Sequence, residues 1–172
     1  MKDVYISGFT DRISPEAPVP IVRVTKTEFK AGGAANVAVN LATLCLEVTL
    51  LSVVGDDKSA REIQQLLSSH NINCIFIKSP NLTTVQKHRI ISQHHQILRL
   101  DYESQNPKLN FQKKDYSELL KKFEKEAKSE TYSAAIFSDY KKGVLEHCKR
   151  LVKSAKKHKI PVFVDPKGDE FA

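Results

Sequence analysis

The chain has 172 residues, 41% of them apolar and 27% charged, a balance that fits one globular domain and excludes disorder as the default. No apolar run approaches the roughly 20 residues of a membrane-spanning helix, and the opening MKDVYISGFTDR has no apolar h-region or small-residue cleavage site, so neither membrane nor signal peptide is expected. The net charge of +7 falls mainly on helix-like stretches with interleaved acids, which favours solvated helix faces and small anionic substrates over nucleic acid.

Taken in order, the chain offers no strand ahead of Tyr5. The proline-spaced ISPEAPVPIVRV suits an extended edge segment, because proline cannot donate to a central ladder. A helix is expected from near Gly33, with Val37, Leu41 and Leu44 on one stripe. EVTLLSVVG (47–55) then reads as a parallel strand covered on both faces. DDKSAREIQQLLSSHN follows as a helix with Ile63, Leu66 and Leu67 facing inward and Asp57 or Ser59 at its N-cap. INCIFIKS (72–79) is a short strand stopped by Pro80. TVQKHRIISQ and HQILRLDYE read as a hairpin around Gln93–His94–His95, although its turn lacks the favoured Asn-Gly or Asp-Gly. Helices over about 111–129 and 144–158 alternate with strands at 132–139 and 160–166. This rhythm predicts an open, mostly parallel α/β sheet, carrying a small β appendage from about 13–30 and 85–102.

Few stretches carry chemistry on their face. Gly32 and Gly33 stand side by side in KAGGAANVAVNLATL, where a helix N-terminus could present its N–H groups to a ligand. The spacing alone equally fits a tight strand-to-helix turn. No G-x-G-x-x-G and no G-x-x-x-x-G-K-[ST] can be written with the six glycines present. Acids close three strand ends, at Asp56–Asp57, Asp139 and Asp165, the place where open α/β sheets bind ligands. Asp139 precedes Lys141 and Lys142, and Asp165 precedes Lys167, as a phosphate site with hydroxyl-binding acids needs. His94 and His95 are adjacent, so on a strand they point apart and do not suit one ion; no metal ligand is assigned. Cys45, Cys74 and Cys148 form no C-x-x-C pair and are expected as thiols in a reducing cytoplasm.

DRISPEAPVPIVRV followed by GGAANVAVNLA resembles the kinase domain of the bacterial heptose 7-phosphate kinases of lipopolysaccharide biosynthesis. These are ribokinase-like (PfkB) sugar kinases, in many bacteria fused to an adenylyltransferase. VGDD (54–57), RLDYE (99–103), SDYKKG (138–143) and VDPKGDEF (164–171) extend the likeness along the whole chain. The resemblance implies a sugar pocket between the α/β sheet and a β lid, with the lid pairing between two subunits of a homodimer. It places Asp3, Arg12, Gly32, Gly33 and Asn36 on the sugar phosphate and puts Lys87, Arg89 and Arg99 on the lid hairpin, where cations could meet the substrate's 7-phosphate or hold the dimer together. It also sets Asp139 and Lys142 near the phosphoryl-transfer region and Lys167 towards the nucleotide, with ATP and Mg2+ as implied cofactors.

The departures count as well. The family's first strand and Gly-Asp are missing ahead of Met1, and its G-A-G-D signature, whose Asp is the catalytic base, is absent, so no catalytic residue is assigned. The expectation is a partial ribokinase-like domain over 1–172, belonging to an enzyme that phosphorylates the anomeric hydroxyl of D-glycero-D-manno-heptose 7-phosphate but inactive as this chain alone. A non-catalytic remnant that keeps sugar binding and dimerisation, or a kinase for another sugar, is the alternative.

Overall fold

A computed structural model describes residues 1–104, 111–129, 131–139, 145 and 148–165. It begins with a 12-residue strand, β1 (Lys2–Ile13), which pairs antiparallel with β2 (Pro20–Ala31). This corrects the expectation that no strand lies ahead of Tyr5. The period-two alternation of Val4 and Ile6 against Asp3, Tyr5 and Ser7 is present, but Gly8 and the polar run Thr10–Arg12 dilute it. Two irregularities of register, at Ser7/Gly8 and Thr10/Arg12, bend the ribbon. Gly8 is required at the first, since a Cβ there would collide with the Arg23 carbonyl. Pro15 and Pro18 lie in the connecting loop, closed by Ser14 N–H donating to Val19 O at 2.9 Å. Pro20 opens β2, an edge strand, where a missing N–H costs least.

The chain then crosses away through α1 (Ala34–Thr43), β3 (Thr49–Gly55), α2 (Lys58–Ser69) and β4 (Asn73–Ser79). β3 and β4 pair in parallel across α2, as the short apolar runs require. Ile63 and Leu67, one turn apart on α2, pack with Ala31, Ala35, Ala38 and Ile72 into a first core. β5 (Gln86–Ser92) returns to pair in parallel with β1, and β6 (His95–Tyr102) closes the hairpin, giving the strand order β2-β1-β5-β6. Gln93 and His94 both hold positive φ, 49° and 70°, the backbone of a type I′ turn without the glycine that usually supplies it.

α3 (Lys113–Ala127), β7 (Ala135–Ser138), α4 (Cys148–Lys157) and β8 (Val162–Asp165) complete the described elements. β7 and β8 pair in parallel, so among the described residues three of the five strand pairings are parallel. A second core joins the β3–β4 and β7–β8 pairs and both later helices through Val53, Ile77, Tyr116, Leu119, Phe137 and Leu151. The result is the expected α/β architecture with a mixed four-stranded sheet beside it. No helix among the described residues is long and apolar enough to cross a membrane.

Two contacts fix the four-stranded sheet against the helical layer. Lys2 is buried, pairs with Glu62 of α2, and lies 4.6 Å from the centroid of the Phe29 ring. At the other, Asp57 caps α2 by accepting from Ala60 N–H at 2.8 Å, while its second oxygen accepts from Thr84 N–H at 2.8 Å. Thr84 Oγ1 in turn accepts from Gly55 N–H at 3.0 Å. A Cβ on Gly55 would lie 2.5 Å from Asp57 Oδ2, so the glycine of VGDD makes room for this knot.

Candidate functional site

Where β2 ends and α1 begins, the chain passes through Gly32 and Gly33. Gly33 holds φ 57° and ψ −135°, a conformation that costs an L side chain and suits glycine. Gly32 is constrained by space: a Cβ on it would stand 2.6 Å from Asp3 Oδ2 and 2.8 Å from Asp3 Cγ. The glycine pair therefore turns the chain and also lets the Asp3 carboxylate lie against the backbone. Gly33 caps α1 without any side-chain hydrogen bond, and Asn36, exposed, stands in the first turn.

Asp3 comes to this point through the register of β1. Its neighbours are Lys30 on β2 and Lys87 on β5. Two residues further along, Tyr5 stands beside Arg89. Arg89 Nη1 lies 2.9 Å from Asp3 Oδ1, with the two side chains 21% and 13% exposed. The contact has the distance of an ion pair without the angle of a hydrogen bond, so both atoms are buried with no hydrogen-bond partner. Tyr5 carries cations over its ring, Arg89 at 5.3 Å and Lys30 at 5.2 Å from the centroid. Period two places Asp3, Tyr5, Lys30, Lys87 and Arg89 on one face of the sheet.

The structure thus gathers Asp3, Gly32, Gly33, Asn36, Lys87 and Arg89 around the start of α1. Arg99 sits opposite Arg89 on β6 and is held by both oxygens of Asp101, at 2.8 and 3.1 Å. Arg12 is not brought to the group: it is exposed, nine residues along β1 from Asp3, about 30 Å at strand rise. Asp139 lies just past β7 of the β7–β8 pair, where its N–H donates to Asp165 O at 2.9 Å. Lys142 and Lys167 lie outside the described residues. No local pattern points to Tyr5 and Lys30, because only the β1–β2 register makes them neighbours of Arg89. Asp57, a strand-end acid in the sequence, is occupied as cap and knot. Burial raises its carboxyl pKa, but hydrogen bonds from Thr84 and Ala60, with Arg61 nearby, hold it below the ordinary value.

Chemically, a carboxylate against a glycine backbone accepts hydroxyl protons, the open N-terminus of a helix donates to oxygen, and Lys30, Lys87 and Arg89 favour an anion. That combination fits a polyol carrying a phosphate. Among the described residues no three His, Cys, Asp or Glu side chains gather to bind a metal ion.

Comparison with known proteins gives the family and the fold. Residues 2–172 match the pfkB family carbohydrate kinase profile. The Bifunctional protein HldE of Histophilus somni (strain 129Pt) is 46% identical over 172 residues, which are 100% of this chain and 35% of the relative. HldE of Haemophilus influenzae (strain PittEE) is 44% identical over 171 residues, 99% of this chain and 34% of its own. The chain thus spans about a third of the length of these curated relatives. Among solved structures, phosphofructokinase-2 from Escherichia coli in complex with fructose-6-phosphate superposes with a TM-score of 0.67 at 21% identity, covering 98% of this chain and 53% of that one. A carbohydrate kinase from Agrobacterium tumefaciens gives 0.65 at 14% identity, covering 95% and 50%. At such identities the superpositions speak for the fold.

Proposed function

The chain belongs to the pfkB family of carbohydrate kinases, and from that premise we propose that it is the sugar-binding part of a heptose 7-phosphate kinase. The whole enzyme would join the anomeric oxygen of D-glycero-D-manno-heptose 7-phosphate to the γ-phosphorus of ATP, release the hydroxyl proton and ADP, and yield the 1,7-bisphosphate for ADP-heptose and lipopolysaccharide biosynthesis in the cytoplasm. The HldE relatives support the choice of sugar. The observation that carries the reading is the Asp3 carboxylate seated on Gly32 at the start of α1, with Arg89 beside it.

In this reading Asp3 and the α1 N-terminus hold sugar hydroxyls, and Asn36 reaches the same spot. Lys87, Arg89 and Lys30 meet the 7-phosphate from the lid, and Arg99 completes their positive edge. Arg12 at the far tip of β1 would serve only a sugar bound by a second copy. ATP, when bound, supplies the phosphoryl group, and Mg2+ shields its charge. No catalytic base is assigned among the described residues. Asp139, Lys142 and Lys167 are proposed for the phosphoryl and nucleotide side by family position alone.

Calorimetric titration of the chain with heptose 7-phosphate is expected to show binding, without turnover when Mg-ATP is added. Asp3→Asn should weaken that binding by about tenfold to a hundredfold, the worth of a charge-assisted hydrogen bond. Asn36→Ala should weaken it less and leave the fold intact. Fructose 6-phosphate bound as tightly as the heptose would refute the substrate, and equal binding by wild type and Asp3→Asn would refute the site.

A further inference from the structure

α3 and α4 pack side by side and leave between them a surface groove of about 350 Å³, lined by Leu120, Glu124 and Lys128 from α3 and its C-terminus. From α4 and the residue after it come Arg150, Lys153, Ser154, Lys157 and His158. Four permanent cations thus face one carboxylate, and none of the four is paired with a described acid. The groove is remote in the fold from the sugar site. α3 packs on β3 and β4, and α4 on β8, whereas Asp3 and Gly32 lie on β1 and at the β2–α1 turn.

Helix electrostatics do not account for this concentration. α4 carries five cations and no acid in ten residues. Lys156 and Lys157 suit the negative end of the helix dipole, but Lys149 and Arg150 stand in the first turn, where a cation is disfavoured. Lys149, Lys153 and Lys157 follow at i, i+4 and i+8, a like-charge row that costs helix stability. Leu151 and Ala155, buried in the two cores, are the apolar stripe through which the helix packs, and none of its cations is needed for that. The cost recurs at consecutive turns, and three of the cations end in one groove.

We infer that this groove binds a small polyphosphate anion, a site separate from the sugar site. Its volume suits a small molecule and not a duplex. It contains no Phe, Tyr or Trp ring on which single-stranded bases could stack, and Glu124 inside it opposes a continuous phosphate backbone. A compact chain of phosphates can lie along Arg150, Lys153 and Lys157, one helical face, with Lys128 opposite.

The test is calorimetric titration of the 172-residue chain with tripolyphosphate, pyrophosphate and inorganic phosphate at low ionic strength. Affinity should fall in that order and weaken as salt is added. Arg150→Glu with Lys153→Glu should lower tripolyphosphate affinity by about tenfold or more. Lys113→Glu with Lys114→Glu changes the net charge equally, on exposed residues at the acid-favouring start of α3, and should leave it unchanged. If the first pair perturbs the circular dichroism, Arg150→Gln with Lys153→Gln against Lys113→Gln with Lys114→Gln makes the same comparison. Equal weakening by both pairs would reduce the effect to bulk charge and overturn the site. So would undetectable binding of tripolyphosphate at millimolar concentration, or a single-stranded oligonucleotide that displaces it through the same residues.

Discussion

Gly32 and Gly33 are adjacent, yet they resist substitution for different reasons. At Gly33 the positive φ is the constraint, so alanine there costs about 1–3 kcal/mol of backbone strain. At Gly32 the obstacle is the Asp3 carboxylate, 2.6 Å from where a methyl would stand. Gly32→Ala is therefore expected to push Asp3 away from the start of α1. On the proposed reading it should abolish sugar-phosphate binding while Gly33→Ala, seen by urea denaturation, chiefly lowers stability. Asp57 offers a pH-dependent counterpart. Its carboxyl pKa is lower in the folded chain than in the unfolded one, so its contribution is present above the ordinary carboxylate range and is lost as pH falls through the lowered value. Asp57→Ala removes a helix cap and orphans the Thr84 N–H, and is expected to cost about 1–3 kcal/mol at neutral pH. The gap between variant and wild type in urea midpoint should close in acid, below the ordinary carboxylate range; a gap that persists there would mean that the charge is not what matters.

At the scale of elements, periodicity carried most of the fold. α2 and α3, the parallel pair β3–β4 and the β5–β6 hairpin lie within a few residues of where apolar spacing puts them; α1 forms where expected but packs through Ala35 and Ala38 and leaves Leu44 exposed, so the stripe of Val37, Leu41 and Leu44 is not its core face. What escaped has a common cause. β1 is diluted by Gly8 and a polar tip, and its partner β5 lies more than 80 residues away in sequence, so no local pattern shows that it is the second strand of a four-stranded sheet. The same non-local register hides the site's electrostatics: Gly32 and Gly33 are visible, but not that Asp3 rests on one of them or that Tyr5 lies under two cations. The hairpin turn is a separate case. Gln93 and His94 both adopt positive φ at a strain that an asparagine-glycine pair would not incur. The double substitution Gln93→Asn with His94→Gly is expected to raise stability by about 0.5–1 kcal/mol, read as a rise in Tm. No rise would mean that the present turn is held by contacts of its own side chains.

For the molecule as a whole, the four-stranded sheet has two unlike faces. The face with Asp3, Lys87 and Arg89 is charged. On the other, register aligns Val4 with Phe29 and His88, and Ile90 with Ile6 and Leu98, and brings Leu100 and Tyr102 alongside. Val4, at the end nearest α2, is buried, but Phe29 remains 38%, Leu98 52%, Leu100 38% and Tyr102 47% exposed. Such a band of large apolar side chains on a sheet that projects beside the helical layer is more than scattered surface residues supply. On the proposal that the lid pairs between two copies, this face buries itself against its own equivalent, as a two-fold interface allows. The charged faces then stay free to close on sugar. Sedimentation of the wild type at micromolar concentration is expected to show a dimer. Leu98→Lys with Leu100→Lys, which sets two charges into the interface, should shift it to monomer, because an unpaired charge there costs several kcal/mol. A wild-type monomer at that concentration, or a dimer indifferent to both substitutions, would place the contact elsewhere; a monomeric variant that still binds heptose 7-phosphate would show that the lid face serves assembly and the opposite face serves the sugar.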